Sequence, residues 1–157
     1  MRLLIVTVCH ILLFTTLGFA DDPYGNMKLL EGYKFKRSHT PDTINGIISG
    51  EGSLSIEFES GINEGYAADP KELKKYIWFR EQEINGHKVF VALAKNGVGT
   101  KWAPAKPRRT LDPPNILIIT FPQRFGPMDA ANFYAEVLDE KDITDTLLMV
   151  LTFDPTK

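Results

Sequence analysis

Asn85-Gly86 lies between Tyr76 to Ile84 and Lys88 to Leu93, two runs rich in aromatic and β-branched side chains. An Asn-Gly pair so placed is the strongest short-range hairpin signal, because both turn residues need positive φ. This commits the stretch to two antiparallel strands. His87, next to the turn, is expected to be exposed.

Other segments share the same character. Ser53-Leu54-Ser55-Ile56-Glu57-Phe58-Glu59 alternates strictly after the Gly50-Glu51-Gly52 turn signal. A period of two sends Leu54, Ile56 and Phe58 to one face and Ser55, Glu57 and Glu59 to the other, as in a half-buried antiparallel strand. Ile44 to Ser49 reads as a strand, and Tyr33-Lys34-Phe35-Lys36 as a short edge strand whose lysines discourage pairing with another chain. Asn115 to Phe121 is nearly all apolar, as expected of a strand buried on both faces. Residues 61–75 form a connection with one helical turn after Pro70, and 95–114 form a loop rich in Gly, Pro and Lys.

Two segments near the C-terminus complete the plan. Pro127 suits the first helical position, Asp129 the first turn, and Met128, Ala131, Tyr134 or Ala135, and Leu138 recur at helical spacing. A helix is therefore predicted over 127–138. Thr146 to Phe153 is apolar and reads as a central strand, with a helix as rival because Leu and Met are not strand formers by preference. The sum is a single α+β domain over residues 21–157, a mainly antiparallel sheet of about five to seven strands with one principal helix packed on it.

Residues 1–20 carry the layout of a cleavable secretory signal: Met1-Arg2, an apolar stretch from Leu3 to Phe19, and Gly18-Phe19-Ala20 as the cleavage site. The rival is a retained anchor, since a spanning helix needs about 20 apolar residues. His10 and several threonines dilute the run, and the small residues at its end favour cleavage. Cys9, the single cysteine, lies inside the apolar run rather than after the small residues, so it is not a lipid-attachment site. A mature chain without cysteine or an Asn-x-Ser/Thr triplet fits a bacterial periplasm or cell exterior. The net charge is −2, and losing Arg2 with the signal makes it −3. So mild an acidity argues against broad nucleic-acid binding, which needs a basic face. No stable membrane span is expected after cleavage.

Candidate chemistry is sparse. Glu57 and Glu59 project from one strand face with Cα atoms roughly 6.5–7 Å apart. A paired-carboxylate hydrolase places its acids at about 5–9.5 Å, and acid pairs on a wet strand face are also common. His39 and Asp42 share the loop Ser38-His39-Thr40-Pro41-Asp42, where a His–Asp pair serves either catalysis or an ordinary turn. No HxxxH, HExxH or CxxC pattern occurs, so no metal site and no cofactor is expected. Gly97-Val98-Gly99 lacks the third glycine of a dinucleotide loop.

Lys101 to Arg109 is stiffened by prolines and punctuated by Trp102. Its basic residues, Lys106, Arg108 and Arg109 among them, suit a protein or anionic partner; otherwise it is a surface connection whose Trp tucks into the core. Tyr76 and Trp78 fall on one strand face and Ile77 and Phe79 on the other, so one aromatic face could serve as a sugar platform or as core. Two functions remain. The preferred one is an exported, non-enzymatic binding or interaction module. The other is a small extracytoplasmic hydrolase using His39/Asp42 and Glu57/Glu59.

Overall fold

The computed structural model describes residues 24–39, 43–61, 65–95, 114–122 and 130–156. Residues 1–20, expected to be a secretory signal, Asp42 and the stretch from Trp102 to Arg109 lie outside these residues. Among the described residues no helix is long and apolar enough to cross a membrane.

Among the described residues seven strands form one antiparallel sheet: β1 Lys34–His39, β2 Thr43–Ser49, β3 Ser55–Gly61, β4 Tyr76–Ile84, β5 His87–Ala94, β6 Asn115–Pro122 and β7 Ala130–Val137. Their spatial order is β1-β2-β3-β7-β6-β5-β4. The expected α+β class holds. Asn85 and Gly86 both take positive φ, 52° and 78°, as the hairpin between β4 and β5 requires.

The helix, however, is α1, Glu140–Val150, and the segment expected to be helical is the central strand β7. Both assignments reverse for physical reasons. The described residues of 127–138 alternate: Ala131, Phe133, Ala135 and Val137 enter the cluster on the helix side of the sheet, while Tyr134 packs on the opposite face. Burial on both faces lets Ala and Asn occupy a strand they do not favour intrinsically.

Residues 146–153 follow a strong helix start. The Asp139 side chain accepts the Asp142 N–H at 2.9 Å, and Asp142 in turn accepts the Leu138 N–H at 2.9 Å. The first bond satisfies a donor that a helix N-terminus leaves without a partner, and the second ties the residue before the cap to the first turn. The helix then carries the apolar run as far as Val150 and buries Met149 and Val150 against the sheet.

A bulge between Tyr76 and Trp78 overturns the expected sharing of faces in β4. The extra residue flips the alternation. Tyr76 and Phe79 stack with ring centroids 5.8 Å apart on the face away from the helix, and Trp78 packs on the helix side. Both aromatic groups thus border core. His87 is half-buried rather than exposed, with Nε2 3.6 Å from Asp154 Oδ1.

The order of strands also explains the long connection after β3. Because β7 and β6 lie beside β3, the chain must cross the sheet to start β4 at the far edge. It does so on the face opposite α1, with Tyr66, Ala67 and Ala68 packed against Phe90, Ala92, Ile116 and Ile118. A backbone laid over apolar side chains needs partners for its polar groups. Asn132 Oδ1 accepts the Ala67 N–H at 3.1 Å, and Asn132 Nδ2 donates to the Gly65 carbonyl at 2.9 Å. Thr120 Oγ1 accepts the Ala68 N–H at 2.9 Å and donates to Asn132 Oδ1 at 2.8 Å. The Tyr76 hydroxyl accepts the Asp69 N–H at 2.9 Å and donates to the Ala67 carbonyl at 3.1 Å. Burial pushes the Tyr76 phenol above its ordinary value of 10, so it keeps its proton and remains a donor at neutral pH.

On the helix side, Gly46 in β2 is covered by the Phe58 ring. A Cβ there would sit 2.4 Å from that ring and 2.9 Å from the Lys36 carbonyl oxygen. The second contact is backbone, so β1 itself would have to move. Gly46→Ala is expected to destabilise the fold by about 1–3 kcal/mol, the range for overpacking a well-filled core. Urea denaturation measures it; a change below a few tenths of a kcal/mol contradicts the packing argument.

Candidate functional site

Strand register builds a lattice of side chains on the face away from α1. One row reads Lys36, Ile47, Glu57, Tyr134 and Ile118 across β1, β2, β3, β7 and β6. The next reads Ser38, Asn45, Glu59, Asn132 and Thr120 across the same five strands. Their β1, β2 and β3 members, together with Tyr134, line a depression of about 520 Å³. That volume lies within the range of about 300–1,000 Å³ common for small-molecule sites.

Each strand supplies its part through the period of two. In β3, Ile56 and Phe58 are buried on the helix side, which leaves Glu57 and Glu59 half-buried on the other. In β2, Ile48 goes to the core and Asn45 and Ile47 face the depression. Lys36 and Ser38 are exposed on the edge strand. The Tyr134 hydroxyl donates to Glu59 Oε1. Tyr134 stands opposite Glu57 in the register, so its bond to Glu59 is a diagonal one. It closes one end of the depression, where the ring joins the buried apolar cluster that holds Phe90 and Ile118.

Of the residues singled out from the sequence, Glu57 and Glu59 come together here. His39 ends β1 with its backbone opposite Ile44; its side chain and Asp42 lie outside the described residues, as do Trp102, Lys106, Arg108 and Arg109. Among the described residues, no three His, Cys, Asp or Glu side chains gather as a metal site would need. Asn45, Ser38 and Tyr134 were not singled out. Alternation in β1 and β2 marks the first two only once the neighbouring strands are known, and Tyr134 falls in a segment whose spacing reads as a helix.

Chemically, the site interleaves an ammonium, two carboxylates, an amide, an aliphatic hydroxyl and a phenol across four neighbouring strands, about 14 Å of sheet. Donors and acceptors therefore alternate, and charges of both signs are present. Such a surface suits a polar ligand of low net charge better than a strong anion or cation. No protein-family model, no curated protein and no solved structure matches this chain.

Proposed function

We propose that this protein is an exported, non-enzymatic binding module that holds a polar ligand of low net charge in the depression over β1, β2, β3 and β7. The observation that carries this reading is the mixed lining of the depression, in which Lys36, Asn45, Glu57 and Glu59 share one concave face. The basic, Pro-rich stretch with Trp102, Lys106, Arg108 and Arg109 is proposed as a second contact, for a protein or anionic partner.

A thermal-shift screen tests the reading. The panel is neutral disaccharides, free amino acids, blocked short peptides and a set of nitrophenyl esters and glycosides. A ligand present at a hundred times its Kd stabilises the fold by about 2.7 kcal/mol, which is several degrees for a domain of this size. At least one non-hydrolysable compound should give such a rise, and Asn45→Trp, which fills the depression, should abolish it. A panel without any stabilising compound contradicts the binding reading. Hydrolysis of an ester or glycoside, lost in both Glu57→Gln and Glu59→Gln, replaces it with the hydrolase reading that involves His39 and Asp42.

A further inference from the structure

The row Ser38, Asn45, Glu59, Asn132, Thr120 is a single line of hydrogen-bonding side chains, and two of its five members already hold an occupant. Asn132 and Thr120 hold residues 65–68, a piece of chain crossing the strands, through its backbone N–H and C=O groups. An amide side chain offers one donor edge and one acceptor atom, the complement of a peptide backbone. Asn45 repeats that chemistry on the same row, two strands from Asn132, or about 10 Å at the usual strand spacing. It is half-exposed, and Ser38 beside it is exposed. Glu59 gives one oxygen to the Tyr134 hydroxyl, and a carboxylate has about four lone-pair sites for donors.

We propose that Ser38, Asn45 and Glu59 bind an extended peptide segment laid across the strands, as Asn132 and Thr120 bind residues 65–68. This rests on the binding-module reading and names its ligand class. The distance from β1 to β7 is about 14 Å, or four extended residues at about 3.3 Å each. Lys36 on β1 and Glu57 on β3 lie one row away and about 10 Å apart. They select a peptide with an acidic side chain toward β1 and a basic one toward β3, two residues apart so that both leave the same face of the extended segment. A sugar fits less well. Tyr134, whose ring closes one end of the depression, is only 7% exposed, which leaves no open ring face there on which a pyranose could stack.

The test is a chemical-shift titration of the ¹⁵N-labelled protein. The probe is an octapeptide of Ser and Gly, blocked at both ends, with one Asp and one Lys two residues apart. Its comparators are the same peptide N-methylated at its central residues, and maltose. Shifts should concentrate at Lys36, Ser38, Asn45 and Glu59. N-methylation and Asn45→Ala should each weaken binding by about tenfold, the loss of one well-placed hydrogen-bonding partner. Ser38→Ala, on an exposed edge, should weaken it by a smaller factor with the melting temperature unchanged.

Equal binding of the N-methylated peptide overturns backbone capture. Wild-type affinity in both Asn45→Ala and Ser38→Ala overturns the location. Shifts at these residues with maltose but not with the peptide overturn the peptide class and leave the binding module standing. If neither ligand causes shifts, the peptide proposal fails, and the wider reading then stands or falls on the thermal-shift panel.

Discussion

Replacing Asn132 with alanine is expected to destabilise the fold by about 2–4 kcal/mol, because it removes partners from several groups at once and each buried orphan costs about 1–3 kcal/mol. Asn132 is 1% exposed, accepts from Ala67 N–H and Thr120 Oγ1, and donates to the Gly65 carbonyl. Gly65 is exposed, so its carbonyl regains water when the amide is gone. Thr120 is fully buried and has no such recourse.

The loss should be local before it is global. Amide hydrogen exchange at Ala67 and Ala68 should accelerate in Asn132→Ala under conditions where β5 and β6 stay protected. Thr120→Val should expose Ala68 alone to the same degree. The double variant should cost less than the sum of the single ones, since the two side chains share a bond. If the amides of Ala67 and Ala68 exchange as slowly in Asn132→Ala as in the wild type, residues 65–68 are held by apolar packing rather than by the polar row.

Phe153→Ala should have the larger global effect, about 3–5 kcal/mol, the range for truncating a fully buried aromatic. Phe153 is 1% exposed and meets Phe121 and Phe133 edge-on, with centroids 5.0 and 5.1 Å away. Those rings belong to β6 and β7, so the residues after α1 close the core over the centre of the sheet.

The same segment is tied to the other end of the described chain. Asp154 N–H donates to the Gly25 carbonyl at 2.9 Å, and Thr152 Oγ1 accepts the Lys28 N–H at 2.7 Å. Gly25 holds φ +69°, and a Cβ there would lie 2.3 Å from the Phe153 ring. A domain with a typical stability of about 5–15 kcal/mol loses a large fraction of it in Phe153→Ala. Phe153→Leu, which keeps most of the volume, should lose less than half as much in chemical denaturation. Equal losses for the two substitutions would show that ring volume at this position is not what holds the core together.

Several elements were legible along the chain. The β4–β5 hairpin follows from Asn85-Gly86, whose preference for positive φ is a property of those two residues. Strand β3 follows from strict alternation, and β6 from an apolar run too short for a helix that spans the core. These signals are local, and tertiary structure had only to agree with them. The pairing of Glu57 and Glu59 on one face was legible for the same reason, since it needs nothing beyond a period of two.

The rest was decided by contacts between residues far apart in sequence. Ala130–Val137 has spacing that satisfies a helix and composition that does not favour a strand; its place between β3 and β6, covered on both faces, makes it β7. The apolar residues from Thr146 onward fit either state until the Asp139 and Asp142 caps start a helix that buries Met149 and Val150 on the sheet. Trp78 changes face because a bulge inserts one residue. The polar row is the furthest from the sequence. Ser38, Asn45, Glu59, Asn132 and Thr120 span five strands, and they become neighbours only through a strand order that is not the chain order. Local residue patterns dictate which short segments are extended and which way they alternate. Which of them lie side by side follows from register and strand order, and those are set by burial shared across the whole sheet.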